Sequence, residues 1–182
     1  MGKSDARVRY TRRVIKESFL ALLQDKPVNR ITVKEVCEAA ELNRATFYAH
    51  YSDCFALLQS IEQELLDCFE KSMHLVDGFD VSALIEAIYR MVEQHESACR
   101  VLVFGGASPT ILGRMIELAK PSSISAWRNQ LHHASEPELE MLYTHLSNGL
   151  MNVVVDGYSR YSREEVISFV NRIVKSSLSL FR

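Results

Sequence analysis

Residues 41–53, ELNRATFYAHYSD, place several chemically active side chains within one short stretch. The guanidinium of Arg44 can donate two hydrogen bonds to the edge of a guanine, and Thr46 offers a hydroxyl and a methyl group to base edges. Tyr48 and His50 can donate to phosphate oxygens, a contact that positions a protein on a nucleic acid without reading its sequence. These residue types predict contact with a nucleic acid.

A metal site or a catalytic site fits the chain less well. His50 and Cys54 are four residues apart, but Ser52-Asp53 should break a helix between them, and the four cysteines form no C-x-x-C pair. The segment at residues 105–108, GGAS, lacks the G-K-[ST] ending and the preceding strand of a phosphate-binding loop. We therefore predict no metal, no cofactor and no enzymatic activity.

Two short helices must hold the side chains of residues 43–50 in place. Thr32 opens the motif T-V-K-E, a capping box that predicts a helix over residues 33–40, and Asn43 is suited to cap a second helix. Two short helices joined by a tight turn form a helix-turn-helix unit, whose second helix lies in the major groove of DNA. Helical spacing turns Phe47 and Tyr51 inward and leaves their neighbours outward.

The predicted DNA-binding residues lie in this unit or precede it in a basic part of the chain. They are Thr32, Lys34, Asn43, Arg44, Ala45, Thr46, Tyr48, His50, Arg7 and Arg12. Residues 1–52 contain ten lysines and arginines against six acidic residues, a net charge of +4, so that in a chain of net charge −2 the remainder carries −6. A basic first quarter on an acidic remainder is typical of a polyanion-binding domain attached to a body with another role.

The rest of the sequence predicts helices and no strands. Apolar residues recur at helical spacing over residues 11–24 and again in a long helix over residues 55–73, which the segment VDGFD at residues 76–80 should end. Ser108-Pro109 should start a further helix, and capping boxes at Ser135 and Ser162 should start the last two. We predict an all-α protein of about nine helices, with a helix-turn-helix domain over residues 1–52 and a helical body over residues 53–182.

No apolar run approaches the length of a membrane-spanning helix, and no apolar stretch follows the charged N-terminus MGKSDARVRYTRR. The composition, 47% hydrophobic and 24% charged, is typical of a protein that buries a core. The sequence therefore predicts a cytoplasmic protein without a membrane segment.

The last two predicted helices are apolar on more than one face, which favours a homodimer through a four-helix arrangement over a monomer that buries both faces in one core. The body also contains aromatic and methionine side chains in numbers that suit a small-molecule pocket. The candidate ligand-binding residues are Phe69, Met73, Tyr89, Phe104, Met115, Trp127, Tyr143 and Met151. Residue type alone leaves open the alternative that they form an ordinary core.

The stretch T-V-K-E-V-C-E-A-A-E-L-N-R-A-T-F-Y-A-H-Y resembles the DNA-binding head of the tetracycline-repressor (TetR) family, and its T-F-Y-x-H-Y core is specific to that family. The resemblance implies an all-α homodimer with a three-helix DNA-binding head, a helical body that binds a ligand or a partner, and a dimer interface formed by the last two helices. The RVRYTRR start and the region around Asn148-Gly149 also resemble a subgroup that includes the activator of a dihydroxyacetone-kinase operon.

Cys54 departs from the family pattern, in which a lysine at this position contacts a phosphate. The departure predicts either weaker non-specific affinity for DNA or compensation by arginines near the N-terminus: Arg7, Arg9, Arg12 and Arg13.

The sequence thus predicts a transcriptional regulator that binds a palindromic double-stranded operator as a homodimer. Repression is the commoner behaviour in the family, and a small-molecule effector in the body would shift the population of head separations. The alternative is an adaptor whose body binds a protein partner while the head holds it on DNA.

Overall fold

The helix signals of the sequence are realised as nine α-helices, and no β-strand, in the part of the chain that the structure describes. The structure is a computed structural model; it describes residues 3–73 and 80–181, with residues 3–5 described by their backbone alone. The helices are α1 (Lys3–Asp25), α2 (Val33–Ala39), α3 (Arg44–Tyr48), α4 (Cys54–Glu70), α5 (Ser82–Gln94), α6 (Glu96–Ala98), α7 (Ile111–Arg128), α8 (Glu136–Gly157) and α9 (Arg163–Ser179). A 3-10 turn at Val28–Arg30 precedes α2, and a π-helical stretch at Cys99–Phe104 follows α6. The predicted all-α class and helix number are confirmed.

Side-chain caps define the start of the helices that the sequence predicts best. Capping boxes are present at Thr32, Ser135 and Ser162, where a hydroxyl and a glutamate three residues later satisfy each other's backbone N–H groups. At the start of α4, the carboxylate of Asp53 accepts a hydrogen bond of 2.7 Å from the backbone N–H of Ala56. These local signals are the part of the fold that a sequence shows most directly.

Two helix starts differ from the prediction. Helix α1 begins at Lys3 rather than near residue 11; the side chains of residues 6–10 are exposed, so this part of the helix shows no apolar stripe in the sequence. Helix α7 begins at Ile111 rather than at Pro109, because the hydroxyl of Ser108 donates 2.6 Å to the buried carboxylate of Glu62 instead of capping the helix. Residues 76–79 of the predicted break VDGFD lie outside the described residues.

The chain divides into two compact units. The first unit consists of Met1–Glu64 together with Ser97–Ser108, and the second unit consists of Leu65–Glu96 together with Pro109–Arg182. The core of the first unit includes Ile15, Phe19, Val36, Phe47 and Leu57, with Cys99 and Leu102 of the π-helical stretch also fully buried. The predicted domain boundary at residue 52 remains a prediction.

The second unit is a set of packed helices in which α7 lies against α8, and α9 lies against both α8 and α5. Arg163 joins the start of α9 to α5 through ion pairs with Glu86, at 3.1 Å, and with Glu93. Its guanidinium also lies 4.9 Å from the ring centroid of Tyr89. Within residues 3–73 and 80–181, no helix is both long enough and apolar enough to cross a membrane.

Candidate functional site

The capping box at Thr32 fixes the N-terminal end of α2, which is the first helix of the helix-turn-helix unit. The Oε2 atom of Glu35 accepts hydrogen bonds from the backbone N–H of Thr32 at 2.9 Å and from its hydroxyl at 2.8 Å, while the Thr32 hydroxyl accepts from the Glu35 N–H at 3.3 Å. The ammonium of Lys26 donates to the other oxygen of Glu35 at 2.5 Å. The Lys26 hydrogen bond, followed by those from Thr32, lowers the pKa of Glu35 from its ordinary 4.5 to about 2.

Glu35→Gln is expected to make the stability of the first unit depend less on acid pH. Because the folded-state pKa of Glu35 lies below its unfolded value, the ionised carboxylate stabilises the fold fully above pH 4.5, and this contribution is lost as the pH falls from 4.5 to about 2. Thermal melts should therefore show the variant less stable than the natural protein above pH 4.5, with the difference closing towards pH 2.

Glu38→Gln is the matched control, since the one ion pair of the Glu38 side chain with a described residue is exposed and joins it to Lys34 at 3.6 Å. Exposed pairs contribute little to stability, so this variant should follow the natural protein at every pH. A constant difference between Glu35→Gln and the natural protein from neutral to acid pH would contradict the assigned role of Glu35.

The turn between α2 and α3 has the hydrogen bonds of a Schellman motif. The N–H of Leu42 donates to the carbonyl of Cys37 at 2.9 Å, and the N–H of Glu41 donates to the carbonyl of Glu38 at 3.3 Å. Glu41 has a φ of 52°, a left-handed conformation in which glycine is the usual residue. Backbone hydrogen bonds therefore hold the turn before α3 in a conformation for which glycine is the usual residue.

Asn43 and Thr46 cap α3 together. The Oδ1 atom of Asn43 accepts from the backbone N–H of Thr46 at 2.7 Å and from its hydroxyl at 2.9 Å. The hydroxyl proton of Thr46 is thus used inside the protein, which leaves its oxygen lone pairs and methyl group for a base edge. The amide nitrogen of Asn43 has no hydrogen bond to another described residue and can donate to a phosphate.

Helix α3 has one buried face and one exposed face. Phe47 is 0% exposed, whereas Tyr48 beside it is 56% exposed, and their rings meet edge-on with centroids 5.7 Å apart. Arg44 and Ala45 are also exposed, and no hydrogen bond or ion pair ties the Arg44 guanidinium to the described part of the chain. The exposed face therefore carries a free guanidinium, a small residue and a phenol.

The other predicted DNA-binding residues lie outside α3. His50 is half-buried, with its ring centroid 6.3 Å from that of Tyr51. On α1, Arg7 and Arg12 are exposed, and the Arg12 guanidinium lies 5.9 Å from the Tyr51 ring centroid, which brings α1 to the end of α3. Lys34 is exposed, and its ammonium group forms an ion pair with Glu38.

The start of α4 differs chemically from a phosphate-binding site. Cys54 is only 5% exposed, and burial raises the pKa of its thiol to about 11, so the thiol is neutral. The neighbouring carboxylate of Asp53 caps the helix. This end of α4 therefore presents a carboxylate and a buried thiol rather than an ammonium group.

No cluster of three or more His, Cys, Asp or Glu that could hold a metal occurs among residues 3–73 and 80–181.

Cys54→Lys is expected to strengthen non-specific binding to DNA. A lysine stem can follow the buried path of the thiol and carry its ammonium to solvent, where it adds one phosphate contact. The plot of log affinity against log salt concentration should become steeper by about 0.9. Cys54→Met, which is long but uncharged, is the control, and an equal slope for both variants would show that this position does not reach the phosphate backbone.

The second unit contains a cavity of about 250 Å³. Five of the predicted ligand-binding residues line it: Phe69, Met73, Trp127, Tyr143 and Met151. Three others lie elsewhere, because Tyr89 packs on Tyr158 at a centroid distance of 5.2 Å, Met115 is fully buried in α7 outside the lining, and Phe104 belongs to the first unit. The prediction considered only aromatic and methionine residues, so it missed the aliphatic and serine residues of the lining. Composition gives no signal for those residues.

One curated protein and several solved structures are similar to this chain. No family model matches the chain. A stretch of 65 residues, 36% of the chain, is 34% identical to the uncharacterized HTH-type transcriptional regulator YxbF of Bacillus subtilis, and the match spans 17% of that protein's length.

Solved structures of transcriptional regulators share the fold along nearly the whole chain. A TetR transcriptional regulator from Streptococcus agalactiae has a TM-score of 0.67 at 20% identity, covering 94% of this chain and 97% of that one. The fatty acid degradation regulator FadR from Bacillus halodurans has a TM-score of 0.61 at 11% identity, covering 90% and 93%. The dihydroxyacetone kinase operon activator DhaS has a TM-score of 0.51 at 16% identity, covering 94% and 98%. Each of these three is a regulator rather than an enzyme, and at these identities the likeness shows the fold.

Proposed function

We propose that this chain, which has the fold of TetR-family transcriptional regulators, is itself a sequence-specific DNA-binding regulator. The observation that carries the proposal is the two-sided helix α3, whose buried Phe47 anchors it while Arg44, Ala45 and Tyr48 face outward. A helix capped at its N-terminus and exposed along one face is the element that a helix-turn-helix protein inserts into the major groove. We propose that Arg44 reads a guanine and that Tyr48 and the Asn43 amide hold phosphates.

The active species is proposed to be a homodimer formed through α8 and α9. Support comes from large apolar side chains that these helices leave exposed in a single chain, with Met141 on α8, Phe169 on α9, and Leu180 directly after α9 at 80% exposure. A two-fold dimer would place one α3 on each half-site of a palindromic operator, about 34–36 Å apart. Repression, the commoner behaviour in the TetR family, is the proposed sign of control.

A small molecule bound in the cavity of the second unit is proposed to change the affinity of the dimer for its operator. The support is the apolar cavity itself, together with the exposed face of α3 on the first unit, which is proposed to bind DNA. A ligand changes DNA affinity only if it binds one of two conformations more tightly than the other. The effector must therefore distinguish DNA-competent from DNA-incompetent dimers.

Selection of bound fragments from the source genome, at about 150 mM salt, tests the proposal because competing non-specific sites then weigh against weak binding. The expected result is an enriched palindrome with half-sites centred about 10 base pairs apart, which Arg44→Ala fails to enrich. Light scattering should give about 42 kDa, twice the 20.8 kDa of one chain. Selected fragments without a shared motif would contradict sequence-specific DNA binding. A mass of one chain would contradict dimerisation.

A further inference from the structure

The cavity of the second unit is bounded by side chains from α4, α5, α7, α8 and α9. Its lining comprises twenty described residues, and none of them is Asp, Glu, Lys, Arg or His. An ion transferred from water into such surroundings loses its hydration without gaining a countercharge, which is strongly unfavourable. The described lining thus selects against carboxylates, phosphates and ammonium compounds.

The polar groups of the lining are few, and two of them have hydrogen-bond partners inside the protein. The Tyr143 hydroxyl donates to the carbonyl of Ile116 at 2.5 Å, and the Ser122 hydroxyl donates to the carbonyl of Ala119 at 3.0 Å. Burial, and after it the negative charge of Glu117, raises the pKa of Tyr143 to about 12, against a smaller lowering by the nearby Ser147 hydroxyl, so the phenol stays neutral. These groups add no charge to the cavity.

Ser147 differs from Tyr143 and Ser122. Its Oγ atom is buried near the Tyr143 hydroxyl, and it is the buried side-chain oxygen of the cavity lining that has no hydrogen-bond partner in the described part of the chain. A buried hydroxyl without a partner is destabilising, and a ligand oxygen at this point would relieve that cost. Ser147 therefore marks where a polar atom of a ligand would lie.

The volume limits the size of the ligand. An apolar protein cavity of about 150 Å³ holds one benzene molecule. On the same scale, the cavity of about 250 Å³ suits a molecule with on the order of ten non-hydrogen atoms.

We propose that the cavity binds an uncharged, mainly apolar molecule of about this size, whose single hydroxyl or carbonyl oxygen hydrogen-bonds to the Ser147 hydroxyl. Its role as an effector rests on the proposed function, whereas its binding does not. The class comprises neutral medium-chain alcohols and ketones, and it excludes the corresponding carboxylates.

Fluorescence of Trp127 reports binding at this site, because Trp127 is the one tryptophan of the chain and lines the cavity. The probes are 8-bromo-1-octanol and 8-bromooctanoate at neutral pH, where the second is ionised. Bromine quenches indole fluorescence on contact. The expected result is saturable quenching by the alcohol, with the carboxylate binding at least about tenfold more weakly because its charge must be desolvated. Equal or tighter binding of the carboxylate, or quenching by the alcohol that does not saturate, would overturn the proposal.

Variants locate the polar contact. Ser147→Ala should weaken binding of 8-bromo-1-octanol about fivefold, the value of one ordinary hydrogen bond, and leave binding of 1-bromooctane unchanged because that probe has no oxygen. Ser122→Ala is the matched control, since its hydroxyl already has a partner. Ala126→Phe should abolish saturable quenching by filling the cavity, with circular dichroism and a thermal melt confirming that it folds. Equal effects of the two serine variants on 8-bromo-1-octanol would overturn the assignment of Ser147.

DNA binding measured on the same samples separates this proposal from the proposed function. A protein that binds its operator but shows no saturable quenching retains the regulatory function and overturns the proposed ligand class. A protein that shows the predicted quenching but binds no specific DNA supports the ligand class and overturns the regulatory function.

Discussion

Arg44→Ala is expected to weaken binding to the selected operator by about 1–3 kcal/mol, roughly 5- to 150-fold, because a bidentate contact to a guanine is lost. The residue is exposed at the first position of α3, and its guanidinium makes no hydrogen bond or ion pair with the residues that the structure describes. The melting temperature should therefore stay within the small range typical of surface substitutions. Fluorescence anisotropy of a labelled operator measures the affinity.

Arg30→Ala is the matched control for charge. Arg30 is exposed in the same unit but belongs to the 3-10 turn before α2, outside α3. Removing it should lower affinity for the operator and for unrelated DNA equally, whereas Arg44→Ala should reduce the preference between them. If the two variants lowered operator affinity equally and left the preference intact, Arg44 would have no role in reading bases.

Phe47→Ala is expected to destabilise the first unit by about 3–5 kcal/mol, the usual cost of removing a fully buried phenylalanine. The ring is 0% exposed, and it contacts the rings of Tyr48 and Tyr51 at centroid distances of 5.7 and 5.9 Å. The loss should appear as a lower midpoint in urea or thermal unfolding, and operator binding should fall because α3 loses its anchor.

Tyr48→Ala separates folding from DNA contact at the adjacent position. Tyr48 is exposed, so its removal should leave the unfolding midpoint nearly unchanged while it weakens operator binding through a lost phosphate contact. The two neighbours should thus show opposite patterns. Equal loss of stability in both variants would contradict the division of α3 into a buried face and a DNA-binding face.

The helix-turn-helix elements could be predicted because their signals are local. Thr32, Asn43 and Ser162 each cap a helix through a side chain within three residues, and the inward turn of Phe47 follows from helical spacing alone. Such features depend on neighbours in the sequence, so the sequence displays them.

Features without a signal in residue type or periodicity could not be predicted in this way. Glu41 adopts a left-handed conformation that residue type would assign to glycine, and the surrounding backbone hydrogen bonds hold it there. The π-helical stretch at Cys99–Phe104 belongs to the first unit. The Ser108 hydroxyl donates a hydrogen bond to Glu62, a residue 46 positions earlier. No periodicity in the sequence encodes these pairings.

The cavity shows the same limit. Aromatic and methionine content identified Phe69, Trp127 and Tyr143, but the cavity also needs aliphatic residues and serines that look ordinary in sequence. Ser147 stands out only because its hydroxyl oxygen is buried without a hydrogen-bond partner, and that depends on how the helices pack. Residue type therefore indicated that a pocket was feasible, whereas its polarity and size came from the packing of the helices.

Sequence-specific recognition is tested most directly by titrating the protein against its selected operator and against a shuffled duplex of the same length and composition. Anisotropy at about 150 mM salt should show the operator bound at least about 10³-fold more tightly than the shuffled duplex. Equal affinity for the two duplexes, with equal dependence on salt, would mean that the chain binds only the charge of DNA and that α3 reads no sequence.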